Sequence, residues 1–201
     1  MNKIRLAGVI TSDFVKSHTS FGEQFYSFTI SCERTSGKFD VLRCVISEVL
    51  LPDNLGITDM ICVNGEIRTR NVEDEKGKKH TEVFIFVKSI ENYPGYDTNY
   101  VEGHFYICSK TDVRETPLGR TLIDFIGASN RENSDKSDYI PTIAWGRSAT
   151  RIAAMPIGTE IDVVGRLQSR EYIKRYEDGT EETKIAYELS AGRFGVSANE
   201  D

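Results

Sequence analysis

The chain has 201 residues, 39% of them hydrophobic and 28% charged, with a net charge of -6. That composition supplies one or two packed cores. It offers no run close to the roughly 20 apolar residues that a membrane helix needs, and Met1-Asn2-Lys3-Ile4-Arg5-Leu6 lacks the apolar block of a signal peptide, so a cytoplasmic protein is expected. A pI of about 5.2 excludes a chain coated in basic charge, but net charge governs solubility and long-range steering rather than one local groove.

The first half opens with the alternating segment from Lys3 and then spaces Gly22, Phe28 and Arg34 six residues apart. Ser47 to Gly56 carries Pro52, which limits any helix there to a short piece. Ile61-Cys62-Val63-Asn64-Gly65-Glu66-Ile67-Arg68-Thr69-Arg70 reads as a strand, Gly77 as a turn, and Thr81 to Ile90 as a second alternating run. Asn92-Tyr93-Pro94-Gly95-Tyr96-Asp97 has the punctuation of a linker.

The second half then repeats the first. Gly119, Phe125 and Arg131 keep the same spacing, and Ile161-Asp162-Val163-Val164-Gly165-Arg166-Leu167-Gln168-Ser169-Arg170 parallels the segment from Ile61. Gly179 precedes another alternating run, Glu182 to Leu189. Strands are expected near 99–110, 121–131, 138–145, 159–170 and 182–190, with a helix over Ser148 to Met155 stopped by Pro156 and Gly158. A repeat of this length is a duplicated fold rather than a solenoid. The reading is all-β, with two tandem five-stranded barrels, each carrying at most one short helix after its third strand. The first domain is placed at 1–91, a linker at 92–98, the second domain at 99–194 and a short tail at 195–201.

Cys32, Cys44, Cys62 and Cys108 are widely spaced with no C-x-x-C pair, so they read as structural thiols and no metal site is expected. No cofactor motif appears. His18, His80 and His104 are scattered without a nucleophile motif, and an enzyme is set aside.

Strand parity sorts the second half into faces. Ile161, Val163 and Leu167 point to the core, while Arg166, Gln168 and Arg170 point outward and Tyr172 continues their line. Ile140, Thr142 and Ala144 share one side of the third strand, and Tyr139, Pro141, Ile143 and Trp145 share the other. Exposed rings stack on any base, and nearby cations neutralise phosphates. Arg114, Arg120, Arg131, Arg147, Lys174 and Arg175 lie in or near the flanking loops. The competing reading is ordinary: aromatics in strands are more often core than platform, and outward arginines can form a solvated, ion-paired face.

Three stretches of the second half resemble the bacterial single-stranded DNA-binding protein family, from about Asn99 to Phe194. These are Arg114-Glu115-Thr116-Pro117-Leu118-Gly119 running on to Phe125 and Asn130-Arg131; Asp138-Tyr139-Ile140-Pro141-Thr142-Ile143-Ala144-Trp145-Gly146-Arg147; and Gly158 with Gly165-Arg166-Leu167-Gln168-Ser169-Arg170-Glu171-Tyr172. The resemblance implies the OB fold, a service in DNA replication, repair and recombination, and base stacking at Tyr139, Trp145 and Tyr172. It matches Arg166 and Arg170 to basic residues of the same face less strictly. The first half resembles the family weakly, with Ser47, Val41 and Val72 opposite Trp145, Tyr139 and Tyr172. That half is expected to be mainly structural or oligomerising, or to use other rings such as Phe21, Phe25 and Phe39. Family members end in an acidic tail with an apolar tip, which Gly195-Val196-Ser197-Ala198-Asn199-Glu200-Asp201 does not resemble, so recruitment of partners by that route is not expected. Two copies of a duplicated chain would supply the family's usual four barrels, so a homodimer is expected. The rival reading is a protein-interaction module, within a replication, conjugation or plasmid-maintenance assembly, that has lost DNA binding. The acidic balance and eroded first half favour it, and the three retained rings oppose it.

Overall fold

The computed structural model describes residues 1–73, 77, 79–132, 134–176 and 179–196. Strand alternation organises it from the first residues: in β1 (Asn2–Ile10) Ile4, Leu6 and Ile10 are buried while Lys3 faces solvent. β2 (Val15–Ser20), β3 (Glu23–Glu33) and β4 (Phe39–Ser47) follow, then a single 3-10 turn at Glu48–Leu50. β5 (Met60–Glu73) and β6 (Lys79–Asn92) form a long hairpin that completes the first half. The second half repeats the plan with β7 (Thr98–Lys110), β8 (Arg114–Glu115), β9 (Thr121–Asn130), β10 (Ser137–Trp145), α1 (Arg147–Ala154), β11 (Glu160–Arg175) and β12 (Glu181–Val196).

Each half closes into a barrel. β1 pairs with β3 and β5, β3 with β4, β5 with β6, and a parallel contact between β4 and β6 shuts the ring. β7, β9, β10, β12 and β11 close in the same order, with β10 and β12 parallel. β2 and β8 are second pieces of a broken first strand, each paired with the strand that follows it. The architecture is two tandem five-stranded OB barrels, as expected.

The helix expected at Ser148 to Met155 starts one residue earlier and ends at Ala154, with Ala149 and Ile152 buried. Lys110 Nζ donates to the carbonyls of Ala153 at 2.6 Å and Met155 at 2.5 Å, satisfying its last turn. In the first half Pro52 has the expected effect, leaving one 3-10 turn that Ser47 caps by accepting from the Val49 N–H. β6 reaches Asn92 and β7 starts at Thr98, so the connection expected over 92–98 is confined to 93–97. The β11–β12 hairpin is longer than the expected strands, with β11 reaching Arg175 at the turn and β12 reaching Val196.

The halves meet across a pseudo-two-fold axis. β1 and β7 pair antiparallel from Asn2↔Gly103 to Ala7↔Thr98, so one sheet of 12 strands runs through both barrels. Asn2 and Asn99, related by the same spacing as Gly22 and Gly119, make matching bonds: Asn2 Nδ2 donates to the Ile67 carbonyl at 3.1 Å and Asn99 Nδ2 to the Leu167 carbonyl at 2.6 Å. Gly65 and Gly165 both sit at a bulge, and a Cβ there would come within 2.2 Å of the Phe86 carbonyl oxygen or 2.3 Å of the Ser190 one.

Each barrel's long hairpin is pinned to the other barrel's third strand. The buried Asp138 carboxylate accepts from the Thr69 N–H at 2.6 Å and from Arg131 Nε at 2.8 Å, and Arg131 also donates to the Thr69 carbonyl at 3.2 Å. The mirror arrangement joins Asp40, Arg34 and Ser169: Ser169 N–H donates to Asp40 at 2.7 Å and Arg34 to the Ser169 carbonyl at 3.1 Å. Hydrogen bonding to its aspartate holds each arginine above its ordinary pKa. Arg131 is therefore a clamp between barrels rather than the free loop cation that the sequence suggested. An aspartate buried beside it demands its charge.

Candidate nucleic-acid interface

β10 turns Tyr139, Pro141 and Trp145 to the barrel exterior because Ile140, Thr142 and Ala144 fill the interior, while Ile143, expected on the side of the rings, is buried. Tyr139 is 54% exposed, and Pro141 and Trp145 are half-buried on the same side. At about 3.3 Å per residue, Tyr139 and Trp145 stand roughly 20 Å apart along the strand. The reversal from β10 into α1 is made at Gly146, whose φ of 55° is open to glycine at no steric cost. The Tyr139 N–H donates to Thr69 Oγ1 at 3.0 Å, so the other barrel fixes the backbone under this ring.

β11 brings the third ring and the arginines. Tyr172 is 37% exposed on the hairpin beyond the barrel, and the Arg170 guanidinium carbon lies 5.9 Å from its ring centroid. Arg170 makes only a loose 3.9 Å contact with Glu188. Arg166 is half-buried, and its Nε is buried with no hydrogen-bond partner among the described residues. A buried donor left unsatisfied costs about 1–3 kcal/mol. Gln168 differs from the sequence reading. It is buried rather than outward and free, because it donates to Glu188, its register partner on β12, at 2.7 Å.

The loop cations divide. Arg147, at the start of α1, and Arg120, in the turn before β9, are exposed with no carboxylate partner among the described residues. Arg114 is bound to Asp124 at 2.5 Å, and Arg175 to Glu181 at 2.7 Å. Lys174 Nζ lies 5.0 Å from the Tyr176 ring centroid. A groove of about 480 Å³ runs between the barrels, lined by Tyr172, Lys174, Lys184 and Pro141 from the second half and by Arg43 and His80 from the first. Among the described residues no cluster of His, Cys, Asp and Glu could hold a metal ion, and no helix is long and apolar enough to cross a membrane.

In the first barrel Val41 and Ser47 occupy the places of Tyr139 and Trp145, and the alternative rings separate. Phe21 and Phe39 are exposed, but Phe25 is buried at 7%, beneath the stacked His18 ring. Sequence reasoning overlooked Phe84 and Phe86. Val83, Ile85 and Val87 fill the core, so these rings lie on the exterior, half-exposed. Their even positions in the run from Thr81 to Ile90 were the signal. The terminal residues 197–201, where the tail was expected, lie outside the described residues.

The model of the single-strand binding protein family matches residues 1–93 and again residues 106–196. The first match includes the half whose likeness was weak by its residues alone. Among solved structures, the wild-type single-stranded DNA binding protein from Thermus aquaticus has a TM-score of 0.78 at 19% identity, covering 100% of this chain and 95% of that one. A deletion mutant of the Thermus aquaticus protein has a TM-score of 0.77 at 20% identity, covering 100% of this chain and 96% of that one. At such identities the likeness shows the shared two-barrel fold. No curated protein matches the chain.

Proposed function

This chain belongs to the single-strand binding protein family, and we propose that it binds and protects single-stranded DNA, with little regard to sequence, on the exterior of its second barrel. One observation carries the reading: three rings, Tyr139, Trp145 and Tyr172, share an outward surface with the half-buried Arg166 and the exposed Arg170. Unpaired bases stack on the rings at about 1–3 kcal/mol each, in proportion to ring contact rather than base identity. Arg166, Arg170 and Arg147 take phosphates, with Lys174 along the groove and Arg120 at its turn. Arg114 and Arg175 contribute less, because carboxylates already hold them.

The protein works by binding, not catalysis. Its first barrel braces the second through Thr69 and Asp138, and two copies would assemble the four barrels usual in the family. A cytoplasmic place in replication, repair or recombination follows from that family.

Trp145 is the only tryptophan, so its fluorescence is a clean reporter. Oligo-dT should quench it, with affinity falling as salt rises. No quenching and no gel shift at low salt would sink the reading and leave a protein-interaction module.

A further inference from the structure

We propose that the first barrel sets the span between two rings of the DNA platform, and that the hydroxyls of Thr69 and Ser169 are the positioning residues through which it does so. The proposal rests on the reading that single-stranded DNA lies on the second barrel, and it names what holds Tyr139 and Tyr172 at their separation.

Within its own barrel the platform is open on one side. Among the described residues, β10 and β12 pair only from Thr142↔Leu189 to Ala144↔Ala191, so toward Tyr139 the strand parts from the β11–β12 hairpin. Tyr172 stands on that hairpin, paired with Lys184, in the stretch that has parted from β10. The inter-barrel groove fills the opening. Pro141 of β10 lines it on one wall, Tyr172 and Ala186 of the hairpin on another, and Arg43 of the first barrel on a third. The two rings therefore stand on strands that have separated by the time they reach them.

The first barrel holds both strands. Asp138 already accepts the Thr69 N–H, and the next N–H along β10, that of Tyr139, donates to Thr69 Oγ1 at 3.0 Å. On the hairpin, Ser169 precedes Arg170 and Tyr172 on β11 and meets the first barrel three times. Its N–H donates to Asp40 at 2.7 Å, its carbonyl accepts from Arg34 at 3.1 Å, and its hydroxyl accepts from the Val41 N–H at 3.0 Å. The two hydroxyls make the same bond about the pseudo-two-fold axis. One lies under the Tyr139 ring, and the other belongs to the strand that carries Tyr172. Between them the route runs through β5, β6 and β4, whose ladders are those of the closed first barrel. Groups that bind together need placing within about 0.5 Å, and a backbone N–H that loses its acceptor is free to shift.

The test is a double-mutant cycle on oligo-dT affinity in the full chain, read by Trp145 fluorescence. Thr69→Val keeps the side-chain shape and removes the acceptor. It should weaken binding about three- to tenfold, the scale of one hydrogen bond, with the salt slope unchanged because no phosphate contact is lost. Thr69→Ser should return affinity to within about twofold of the parent protein. In a Tyr139→Ala background, Thr69→Val should have no further effect, since the hydroxyl acts through that ring. Ser169→Ala, which removes one exposed bond and leaves the Asp40 contact in place, should weaken binding about threefold and lose its effect in a Tyr172→Ala background. Parent-like affinity in Thr69→Val, no rescue by Thr69→Ser, or losses that simply add to those of the ring variants would overturn the proposal and leave the DNA site standing. Should Thr69→Val fail to fold, the Ser169 cycle decides by the same criteria. Absence of quenching in the parent protein would instead remove the DNA site itself.

Discussion

The two barrels agree where backbone groups must be satisfied and differ where side chains meet solvent. Asn2 matches Asn99, Gly65 matches Gly165, and Asp40 with Arg34 matches Asp138 with Arg131. Each of these serves a bulge, a shared strand edge or a buried N–H, which have few chemical solutions. Val41 against Tyr139 and Val72 against Tyr172 are exterior positions, where nothing in the scaffold dictates the residue, whereas Ser47, opposite Trp145, is buried and caps the 3-10 turn. A duplicated fold thus keeps its joints and leaves its surfaces free to specialise.

The sharpest way to break the comparison is at the joints. Asp138→Ala strands the Arg131 charge and leaves the Thr69 N–H without its acceptor. Removing one partner of a buried pair costs about 3–5 kcal/mol, with the lower end expected because Arg131 keeps some contact with water. Asp40→Ala should cost a similar amount, since Arg34 and Ser169 depend on it in the same way. Urea denaturation of both variants measures this. A large loss in one and none in the other would show that the two clamps are alike in geometry only.

Next in size is the contrast between surfaces. Trp145→Ala should weaken oligo-dT binding by about 1–3 kcal/mol while the thermal midpoint stays near that of the parent protein. Val41→Ala, at the counterpart of Tyr139, should change affinity by no more than about twofold. Filter binding gives both numbers. Unfolding of Trp145→Ala would reassign the ring to structure and leave Tyr139 and Tyr172 to carry the site.

Much of this was legible in the sequence, for identifiable reasons. Alternation separated Ile161, Val163 and Leu167 from Arg166, and Ile140 from Tyr139, because period two survives wherever one face is buried. Pro52 shortened the first helix as its ring geometry requires. What stayed hidden depends on partners that only the folded strands bring together. Nothing local distinguishes Arg131, locked to Asp138, from Arg147, which has no carboxylate partner among the described residues. Burial of Gln168 and Phe25 likewise comes from partners distant in the chain, Glu188 and Phe86. Phe84 and Phe86 are readable by parity, as even positions of a run whose odd residues Val83, Ile85 and Val87 fill the core.

The smallest expected effects separate cations that only look alike. Arg166→Ala removes a guanidinium whose Nε has no partner among the described residues, so it should lower the salt slope of oligo-dT binding by about 0.7, the value for one phosphate contact on a single strand. Arg175→Ala removes a partner of Glu181 in an exposed pair, which holds little free energy. Freeing Glu181 adds an unmatched negative charge near the strand, yet at that exposure salt screens it within about 10 Å at 0.1 M. The slope should therefore stay unchanged in Arg175→Ala, and affinity should fall only slightly at low salt. Equal slopes for the two variants would mean that Arg166 takes no phosphate, and Arg170 and Arg147 would then be left to neutralise the strand.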